Sequence, residues 1–365
     1  MRLALTHDYL NQFGGAERFL LFLCEIFPEA PIYTLFYDEA KTLGRFKGRT
    51  IITSRLNKKM VINNHRFFIP LMPWAINNFL VNEQFDLVIS STSGYAKGIR
   101  FPKKTIHIAY CHTPLRYAWE DEDYLHTHPL FKGKPLLGKI SKPLINYLKN
   151  WDYEAAQRPT RLIANSEFIS KKISAFYKRR SEVINPPVDL KVFYPDRKRE
   201  RNYFLAIGRF LHYKRFDLVI KSFNTLNLPL KVIGGGPEKN RLRKLIKSQN
   251  TELIDSYQTD EELRLLYSGA KALIFPQVED FGLVAAEAMA CGTPVIAYRA
   301  GGVREIVTED KSGIFFNHQS EDDLCGAVLR FNKMRFNQSL VRKEAVRFSK
   351  EKFKKKFLKI IQQIN

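Results

Sequence analysis

Cysteine is scarce: the chain of 365 residues contains only four, and no two of them form a C-x-x-C pair. Structural zinc sites require clustered thiolate or imidazole ligands, so this spacing excludes a zinc-stabilised fold. Cys24 and Cys291 lie within helix-like segments, where buried, reduced thiols are predicted.

Long apolar segments are also lacking. The longest runs, Phe19 to Leu23 and Leu283 to Ala290, are too short to cross a bilayer. No basic segment leads into an apolar core near the N-terminus, as a secretory signal would require. We therefore expect a cytoplasmic protein, with the inner face of the cell membrane as a second location if it binds lipid peripherally.

Acidic residues are outnumbered, since 59 Lys and Arg residues face 37 Asp and Glu residues and leave a net charge of +22. Such a charge predicts an anionic partner: nucleic acid, an anionic membrane or a phosphorylated substrate. No zinc-finger spacing, aromatic RNA-binding strand or helix-turn-helix signature is present. No nucleic acid partner is therefore expected, although a basic nucleic-acid-binding protein remains the alternative from a different class. A G-x-S-x-G elbow and a P-loop are absent too, which excludes those two hydrolytic chemistries.

Short apolar or β-branched runs alternate with helix-length segments along the whole chain. Eight strands are predicted: Arg2–Thr6, Leu87–Ser90, Ile106–Tyr110, Arg161–Ala164, Tyr203–Ile207, Leu230–Ile233, Ala272–Phe275 and Pro294–Ala297. Several are continuously apolar, as parallel strands covered on both faces are. The pattern predicts an α/β protein with two doubly wound, Rossmann-like domains that face each other across a ligand-binding cleft.

The domain boundary is predicted between Asn185 and Asn202, where a Pro-Pro pair is followed by a charged segment. The predicted segments are an acceptor-side domain over 1–187, a nucleotide-sugar-binding domain over 200–340 and a basic amphipathic helix over 341–365. Phenylalanines at helical spacing in that helix predict core packing, back on the N-terminal domain.

The most informative segment runs from Phe275 to Gly292, where a strand, a loop and a helix beginning near Gly282 follow one another. The first N–H groups of a helix lack intrahelical acceptors and attract phosphate. Glu279 precedes this position, and Glu287 is predicted about two turns into the helix. One carboxylate can then address a sugar and the other a ribose. A buried, paired acid is the alternative for Glu287.

Two cations, Arg209 and Lys214, lie on the loop after an earlier strand. They could neutralise a departing diphosphate in place of a metal ion, or form a merely solvated basic loop. The glycines of 234–236 follow the next strand, and we interpret them as a point of close backbone approach.

The ordered motifs of the second half are Gly208-Arg209, Lys214, Glu279-x-Phe281-Gly282, Glu287-Ala288, Gly292-Thr293-Pro294-Val295 and Gly301-Gly302. The first half adds His7-Asp8, Gly14-Gly15-Ala16-Glu17-Arg18, Cys111-His112-Thr113-Pro114-Leu115-Arg116-Tyr117 and Asn165-Ser166-Glu167. Together these motifs resemble the family-4 retaining glycosyltransferases of the GT-B fold. The first-half motifs are similar to those of mannosyltransferases that build bacterial surface polysaccharides such as lipopolysaccharide.

The resemblance implies a hexosyltransferase that needs no metal and takes its sugar from a nucleotide-sugar, with GDP-mannose favoured and a UDP-sugar as the alternative. The implied catalytic residues are His112 beside the sugar, Arg209 and Lys214 on the diphosphate, and Glu279 orienting the sugar. The implied donor-binding residues are Gly14, Gly15, Phe281, Gly282, Leu283, Val284 and Glu287. The implied acceptor is a glycan or a polyprenyl-diphosphate-linked glycan.

Three alternatives remain open. A nucleotide-sugar epimerase of the same fold could use a similar diphosphate site, and an inactive sugar-binding protein could retain it. Asp121-Glu122-Asp123 contains a D-x-D pattern with which another glycosyltransferase fold holds a divalent cation. Because the surrounding pattern of that fold is missing, an acidic loop is preferred and no metal is predicted.

Two first-half segments, 55–79 and 131–151, mix cations with aromatic and apolar residues. Such segments can rest on an anionic membrane, or they can be ordinary half-buried helices with a basic face. The first interpretation predicts peripheral membrane contact that brings a lipid-linked acceptor to the enzyme.

Overall fold

The computed structural model describes residues 1–79, 81–120, 135–256 and 258–363, with the backbone alone for 135–141. The chain divides into two compact units. The first contains Met1–Ile184 together with the end of the chain from Ile360, and the second contains Asn185–Lys359.

A seven-stranded sheet with the order β3-β2-β1-β4-β5-β6-β7 forms the first unit. Its strands are β1 (Leu3–His7), β2 (Ile32–Thr34), β3 (Ile51–Thr53), β4 (Leu87–Thr92), β5 (Ile106–Cys111), β6 (Arg161–Ala164) and β7 (Glu182–Val183). Its helices are α1 (Gly15–Ile26), α2 (Lys59–Asn63), α3 (Met72–Asn77), α4 (Arg116–Trp119), α5 (Pro135–Ala156) and α6 (Glu167–Tyr177). All neighbouring strands pair in parallel, so their carboxyl ends share one edge.

The second unit contains a six-stranded parallel sheet with the order β10-β9-β8-β11-β12-β13. Its strands are β8 (Tyr203–Ile207), β9 (Leu230–Ile233), β10 (Thr251–Ile254), β11 (Ala270–Phe275), β12 (Val295–Tyr298) and β13 (Gly313–Phe316). Its helices are α7 (Phe216–Leu226), α8 (Lys239–Leu245), α9 (Asp260–Ser268), α10 (Leu283–Ala290), α11 (Val303–Ile306), α12 (Glu321–Asn332), α13 (Gln338–Ala345) and α14 (Lys350–Gln362), which continues into the first unit. The strand order reverses between β8 and β11, which is the position where doubly wound sheets bind ligands.

All eight predicted strands are present, with ends that differ by up to two residues. Five strands are missing from the prediction: β2, β3, β7, β10 and β13. β2, β3 and β7 contain only two or three residues, and β10 is a half-exposed edge strand, so none of these four carries a long apolar run.

The units differ from the predicted segments at their ends. Residues 185–199 and 341–359 group with the second unit, including 185–187 of the predicted acceptor-side domain. Val188 donates its N–H to the carbonyl of Phe348, and Lys350 lies 2.8 Å from a carboxylate oxygen of Asp189. The apolar stripe of the terminal helix is buried: Phe353 and Phe357 are 3% and 0% exposed.

Candidate functional site

The loop after β8 carries the two predicted diphosphate-binding cations. Arg209 is exposed, and Lys214 ends a 3-10 turn over His212–Lys214. Buried aromatic rings anchor the loop at both ends, since Phe210 and Phe216 pack edge to face with centroids 5.1 Å apart. The fold therefore presents both cations from a fixed loop at the carboxyl edge of the sheet.

Glu279 lies on the loop after β11, the strand next to β8, and is brought to Lys214. The Lys214 ammonium donates a hydrogen bond to Oε1 of Glu279, and the side chains are only 11% and 18% exposed. The buried Gln277 amide donates to the same oxygen at 3.3 Å. The predicted phosphate ligand and the predicted sugar ligand are therefore neighbours, although they lie 65 residues apart in sequence.

Glycines hold these two loops in place. A Cβ atom on Gly234 would lie 1.8 Å from the carbonyl oxygen of Gly208, which confirms the predicted close backbone approach. Gly302 donates its N–H to the carbonyl of Glu279 at 2.8 Å, and a Cβ atom on Gly301 would lie 2.5 Å from the same oxygen. Both loops therefore depend on backbone contacts that larger residues would break.

Helix α10 begins directly after this loop. Its N-cap, Gly282, adopts the left-handed conformation with φ of 110°, and the first intrahelical donors are Ala285 and Ala286. The N–H groups of Leu283 and Val284 precede those donors, so they have the position that attracts anions at a helix start. The Phe281 side chain is buried against the Phe348 ring, 5.4 Å away, so only its backbone is available to a ligand.

Glu287 is the fifth residue of α10, just over one turn from its start, because the helix begins at Leu283. Its side chain is buried, and its Oε2 accepts a 3.0 Å hydrogen bond from the hydroxyl of the buried Tyr267. No sequence pattern indicates Tyr267, which lies on α9. The Tyr267 side chain of the same unit thus donates a hydrogen bond to at least one oxygen of this carboxylate.

In the first unit, Gly14 and Gly15 form the start of α1. Gly14 donates its N–H to Oε2 of Glu17 at 2.7 Å, as in a capping box. A Cβ atom on Gly15 would meet nothing within 4 Å, so the surface there is open. The backbone at this helix start is therefore accessible to a ligand, as the interpretation of the two glycines requires.

His112 directly follows β5 at the same edge of the first sheet. Its N–H donates to the carbonyl of Thr92 at 2.8 Å, and the Asn165 amide donates to its carbonyl at 2.9 Å. Its ring lies edge-on to those of Phe19 and Tyr110, with centroids 5.1 and 5.2 Å away. Two hydrogen bonds therefore hold the backbone of His112, and contacts with two aromatic rings hold its imidazole.

Two buried carboxylates that the sequence analysis left without a role organise the loops around His112. Asp8 accepts hydrogen bonds from Thr92 Oγ1 and from the backbone N–H groups of residues 93, 95 and 96. Asp152 pairs with the buried Lys97 ammonium at 2.5 Å and accepts from the Trp119 indole and the Tyr177 hydroxyl. Asp8 belonged to a recognised motif, whereas nothing near Asp152 in sequence indicates its partners.

The acidic motif Asp121-Glu122-Asp123 lies outside the described residues. Within the described ranges, no group of three or more His, Cys, Asp or Glu side chains is arranged to hold a metal ion. The same ranges contain no helix that is both long and apolar enough to span a bilayer.

Structural comparison identifies the class of protein first. The chain superposes on HepE of Anabaena in complex with UDP with a TM-score of 0.76 at 15% identity, covering 100% of both chains. It superposes on sucrose-phosphate synthase of Thermosynechococcus elongatus with a TM-score of 0.74 at 15% identity, covering 100% of this chain and 99% of that one. The lipopolysaccharide outer core galactosyltransferase WaaB matches with a TM-score of 0.65 at 18% identity, covering 100% of both chains. The fold is GT-B, with two Rossmann-like units, as predicted.

Sequence profiles then identify the family. The profile described as Glycosyltransferase Family 4 matches residues 13–192, and the profile described as Glycosyl transferases group 1 matches residues 191–355. The chain therefore belongs to the group 1 and family 4 glycosyltransferases, which confirms that part of the resemblance.

The curated relatives match this chain over only part of its length. An uncharacterized glycosyltransferase of Methanocaldococcus jannaschii is 27% identical over 65% of this chain and 72% of its own length. The D-inositol 3-phosphate glycosyltransferase of Nocardiopsis dassonvillei is 30% identical over 48% of each chain. The match thus spans about half of the latter enzyme.

Proposed function

We propose that this glycosyltransferase transfers a hexose, with retention of configuration, from a nucleotide-sugar to a glycan or a lipid-linked glycan. The observation that carries the proposal is the pairing of Lys214 with Glu279 beside Arg209 and the start of α10. We propose that a diphosphate and its sugar bind side by side at these cations, helix N–H groups and carboxylate.

The cations and amides act on the leaving group. As the bond to the sugar breaks, negative charge grows on the diphosphate, and preorganised donors stabilise that charge more than they stabilise the bound donor. Arg209 and Lys214 supply two positive charges, and Leu283 and Val284 supply helix N–H groups. We propose that this set replaces a divalent metal ion in the reaction.

The carboxylates orient the donor. Glu279 accepts a hydrogen bond from Lys214, so binding of a phosphate to Lys214 and of a sugar hydroxyl to Glu279 are coupled. Glu287, supported by Tyr267, is proposed to hold the ribose through its second oxygen. In the first unit, Gly14 and Gly15 are proposed to admit the donor, and His112 to contact the transferred sugar.

The identity of the donor has two candidates. The first-half motifs favour mannose from GDP-mannose. HepE, however, was solved in complex with UDP and with UDP-glucose, which favours a UDP-sugar. Surface polysaccharide or lipopolysaccharide synthesis is proposed as the setting, in keeping with the motifs and with the likeness to WaaB, a lipopolysaccharide outer core galactosyltransferase.

Peripheral membrane contact is proposed for the segment 55–79 of the first unit. Met60, Leu71 and Trp74 are 63%, 48% and 49% exposed there, and Lys58 and Lys59 of the same segment are exposed too. Exposed apolar side chains mixed with cations suit an anionic membrane surface, each nearby cation contributing about 1 kcal/mol.

Liposome co-sedimentation tests the membrane contact. The full chain should sediment with vesicles that contain anionic lipid and much less with neutral vesicles, and Trp74→Ala should weaken sedimentation. Sedimentation that is independent of anionic lipid and of Trp74 would contradict this part of the proposal.

Thermal unfolding in the presence of GDP-, UDP-, ADP- and dTDP-sugars, with and without EDTA, tests the donor site. A ligand at about 100 times its Kd should stabilise the folded protein by about 2.7 kcal/mol. One nucleotide class should stabilise equally in EDTA, and Arg209→Ala and Glu279→Ala should lose the effect. Arg335→Ala is the charge-matched control, because Arg335 is exposed and follows α12 at the opposite edge of the sheet.

Product analysis completes the test. Transfer requires an added acceptor, whereas an epimerase would release an altered nucleotide-sugar without one. Stabilisation that requires a divalent cation would overturn the metal-free arrangement, and no response to any nucleotide-sugar would overturn the donor-site assignment.

A further inference from the structure

Four side chains of the first unit form a continuous polar line that ends at His112. The Nε2 atom of His7 lies 3.8 Å from Oε1 of Glu17, and its Nδ1 lies 3.1 Å from Oγ of Ser91. The same Ser91 oxygen lies 2.9 Å from Nε2 of His112. The line therefore connects α1, β1, β4 and the end of β5.

The line is buried apart from its end. His7 and Glu17 are each 2% exposed and Ser91 is 0% exposed, whereas His112 is half-buried. Burial acts to raise the pKa of the Glu17 carboxyl, but the contact with His7 and the hydrogen bond from the Gln12 amide lower it below its ordinary value. Glu17 is therefore a carboxylate at neutral pH, and it has to be satisfied by donors.

The direction of the hydrogen bonds along the line follows from the chemistry of its members. A carboxylate only accepts, so the Nε2 atom of His7 carries a proton toward Glu17. If His7 is neutral, its Nδ1 then accepts from the single proton of Ser91. The Ser91 oxygen is left to accept, so the Nε2 atom of His112 must be the donor.

We propose that His7 is neutral, and that Glu17, His7 and Ser91 are positioning residues that place the proton of His112 on Nε2 and leave Nδ1 as its accepting nitrogen. The inference rests on the proposed role of His112 beside the transferred sugar, because the tautomer decides whether Nδ1 accepts or donates a hydrogen bond. His112 itself is the residue proposed to contact the substrate.

The same line can move a positive charge without gaining or losing an atom. When a proton binds to Nδ1 of His112, the Nε2 proton can pass to Ser91 while Ser91 passes its own proton to Nδ1 of His7. The charge then lies on His7 beside Glu17. Other titratable groups around the line include Asp8, next to His7 in the chain, Tyr9, whose hydroxyl interacts electrostatically with Glu17, and Tyr110 and Cys111, next to His112.

The tautomer of His112 can be read from the 15N chemical shifts of its imidazole in the full chain, with the signals assigned through His112→Asn. The wild type should show a protonated Nε2 and an unprotonated Nδ1. Ser91→Ala should populate both tautomers and expose the N–H proton to exchange with water. Because Ser91 is fully buried, Ser91→Ala could also disturb packing. Ser91→Cys is therefore a second variant, which fills the site of the hydroxyl with a thiol that donates only weakly, and it should have the same effect on the His112 tautomer.

Ser90→Ala is the matched control. Ser90 is also fully buried on β4, but its hydroxyl contacts a different imidazole, that of His107, at 2.5 Å. Successive residues of a strand point to opposite faces, so this substitution removes a comparable hydroxyl from the other face of the sheet. It should leave the His112 signals unchanged.

Glu17→Gln gives the sharpest test, because it should reverse the direction of every hydrogen bond along the line. The N–H of Gly14 requires an acceptor at the Oε2 position, so the amide oxygen of glutamine should occupy that position and its NH₂ group should face His7. The Gln12 amide, which donates to Oε1 at 3.2 Å, should then turn its oxygen toward the new NH₂ group. His7 would then accept at Nε2 and donate at Nδ1, and Ser91 would donate to His112. His112 should switch to the tautomer with the proton on Nδ1, although it does not touch residue 17.

Activity provides the second readout. Ser91→Ala and Glu17→Gln should each lower kcat about tenfold, the effect of one lost hydrogen bond, with little change in the KM for the donor. An unchanged His112 tautomer in both variants would overturn the inference whatever the activity. If the tautomer is reversed in Glu17→Gln but sugar transfer is not slowed, the inference about the polar line is supported, and the result counts against the proposed role of His112.

Discussion

Replacing Asp152 with alanine should strongly destabilise the first unit. The Asp152 and Lys97 side chains are both 0% exposed, and one carboxylate oxygen lies 2.5 Å from the ammonium. The other oxygen accepts from the Tyr177 hydroxyl at 2.7 Å and from the Trp119 indole N–H at 2.8 Å. The substitution therefore leaves one buried charge and three neutral donors, among them the N–H of Leu115 at 3.3 Å, without this acceptor.

The magnitude can be estimated from these partners. Removing one member of a buried ion pair costs about 3–5 kcal/mol, and each neutral hydrogen bond lost costs about 1 kcal/mol. We expect a total of about 6–8 kcal/mol. For a domain of this size, 1 kcal/mol lowers Tm by about 2–4 °C, so the first unit should melt at least about 12 °C lower.

Tryptophan fluorescence is a selective assay, because all three tryptophans of the chain, Trp74, Trp119 and Trp151, belong to the first unit. Unfolding in urea followed by fluorescence therefore reports that unit alone. Glu83→Ala is the control in the same unit, since it removes a pair with Arg2 whose side chains are 55% and 65% exposed and should cost less than about 1 kcal/mol.

A double substitution separates charge burial from general disruption. Lys97→Met combined with Asp152→Leu removes both charges, and it should be less destabilising than Asp152→Ala alone because no buried charge is left unpaired. A shift for Asp152→Ala no larger than that of the exposed control would refute this account of the pair.

Three further outcomes are expected. Gly234→Ala should destabilise the second unit and abolish nucleotide-sugar binding in the thermal assay, because its Cβ would lie 1.8 Å from a backbone oxygen and its φ is 149°. Gly235→Ala is the control, since its Cβ meets nothing within 4 Å, and it should leave binding unchanged. Tyr267→Phe should cost about 1 kcal/mol of stability and weaken nucleotide-sugar binding by up to about tenfold, since Glu287 loses a buried donor; equal affinity by calorimetry would contradict the ribose role of Glu287. Alkylation of the native protein near pH 8 should modify Cys325 before the other three cysteines, because these are buried; mass spectrometry showing another site first would contradict this order.

The strands that form the centre of each sheet could be predicted because their composition is a local consequence of burial on both faces. Tyr203–Ile207 and Leu230–Ile233 were predicted with their observed ends, since their apolar runs stop at a glycine-containing loop. The short strands at Ile51–Thr53 and Glu182–Val183 could not, because two or three residues carry no periodicity. Their pairing depends on a neighbouring strand that already exists.

The loops of the candidate site were also visible in sequence, because glycine, proline and charged residues follow strand ends there. The sequence placed Arg209, Lys214 and Glu279 on loops, and neighbouring parallel strands bring such loops together. It could not show that Lys214 and Glu279 bond to each other.

The long-range polar partners were decided only by the tertiary structure. Ser91 lies 84 residues from His7 and 21 from His112, and Lys97 lies 55 residues from Asp152. Nothing local distinguishes Ser91 from the neighbouring Ser90, yet strand register points them to opposite faces and gives them different histidines. Apolar pattern determines which residues are buried, whereas hydrogen bonds are directional and short, so their partners are defined only when the folded sheet has set the distances.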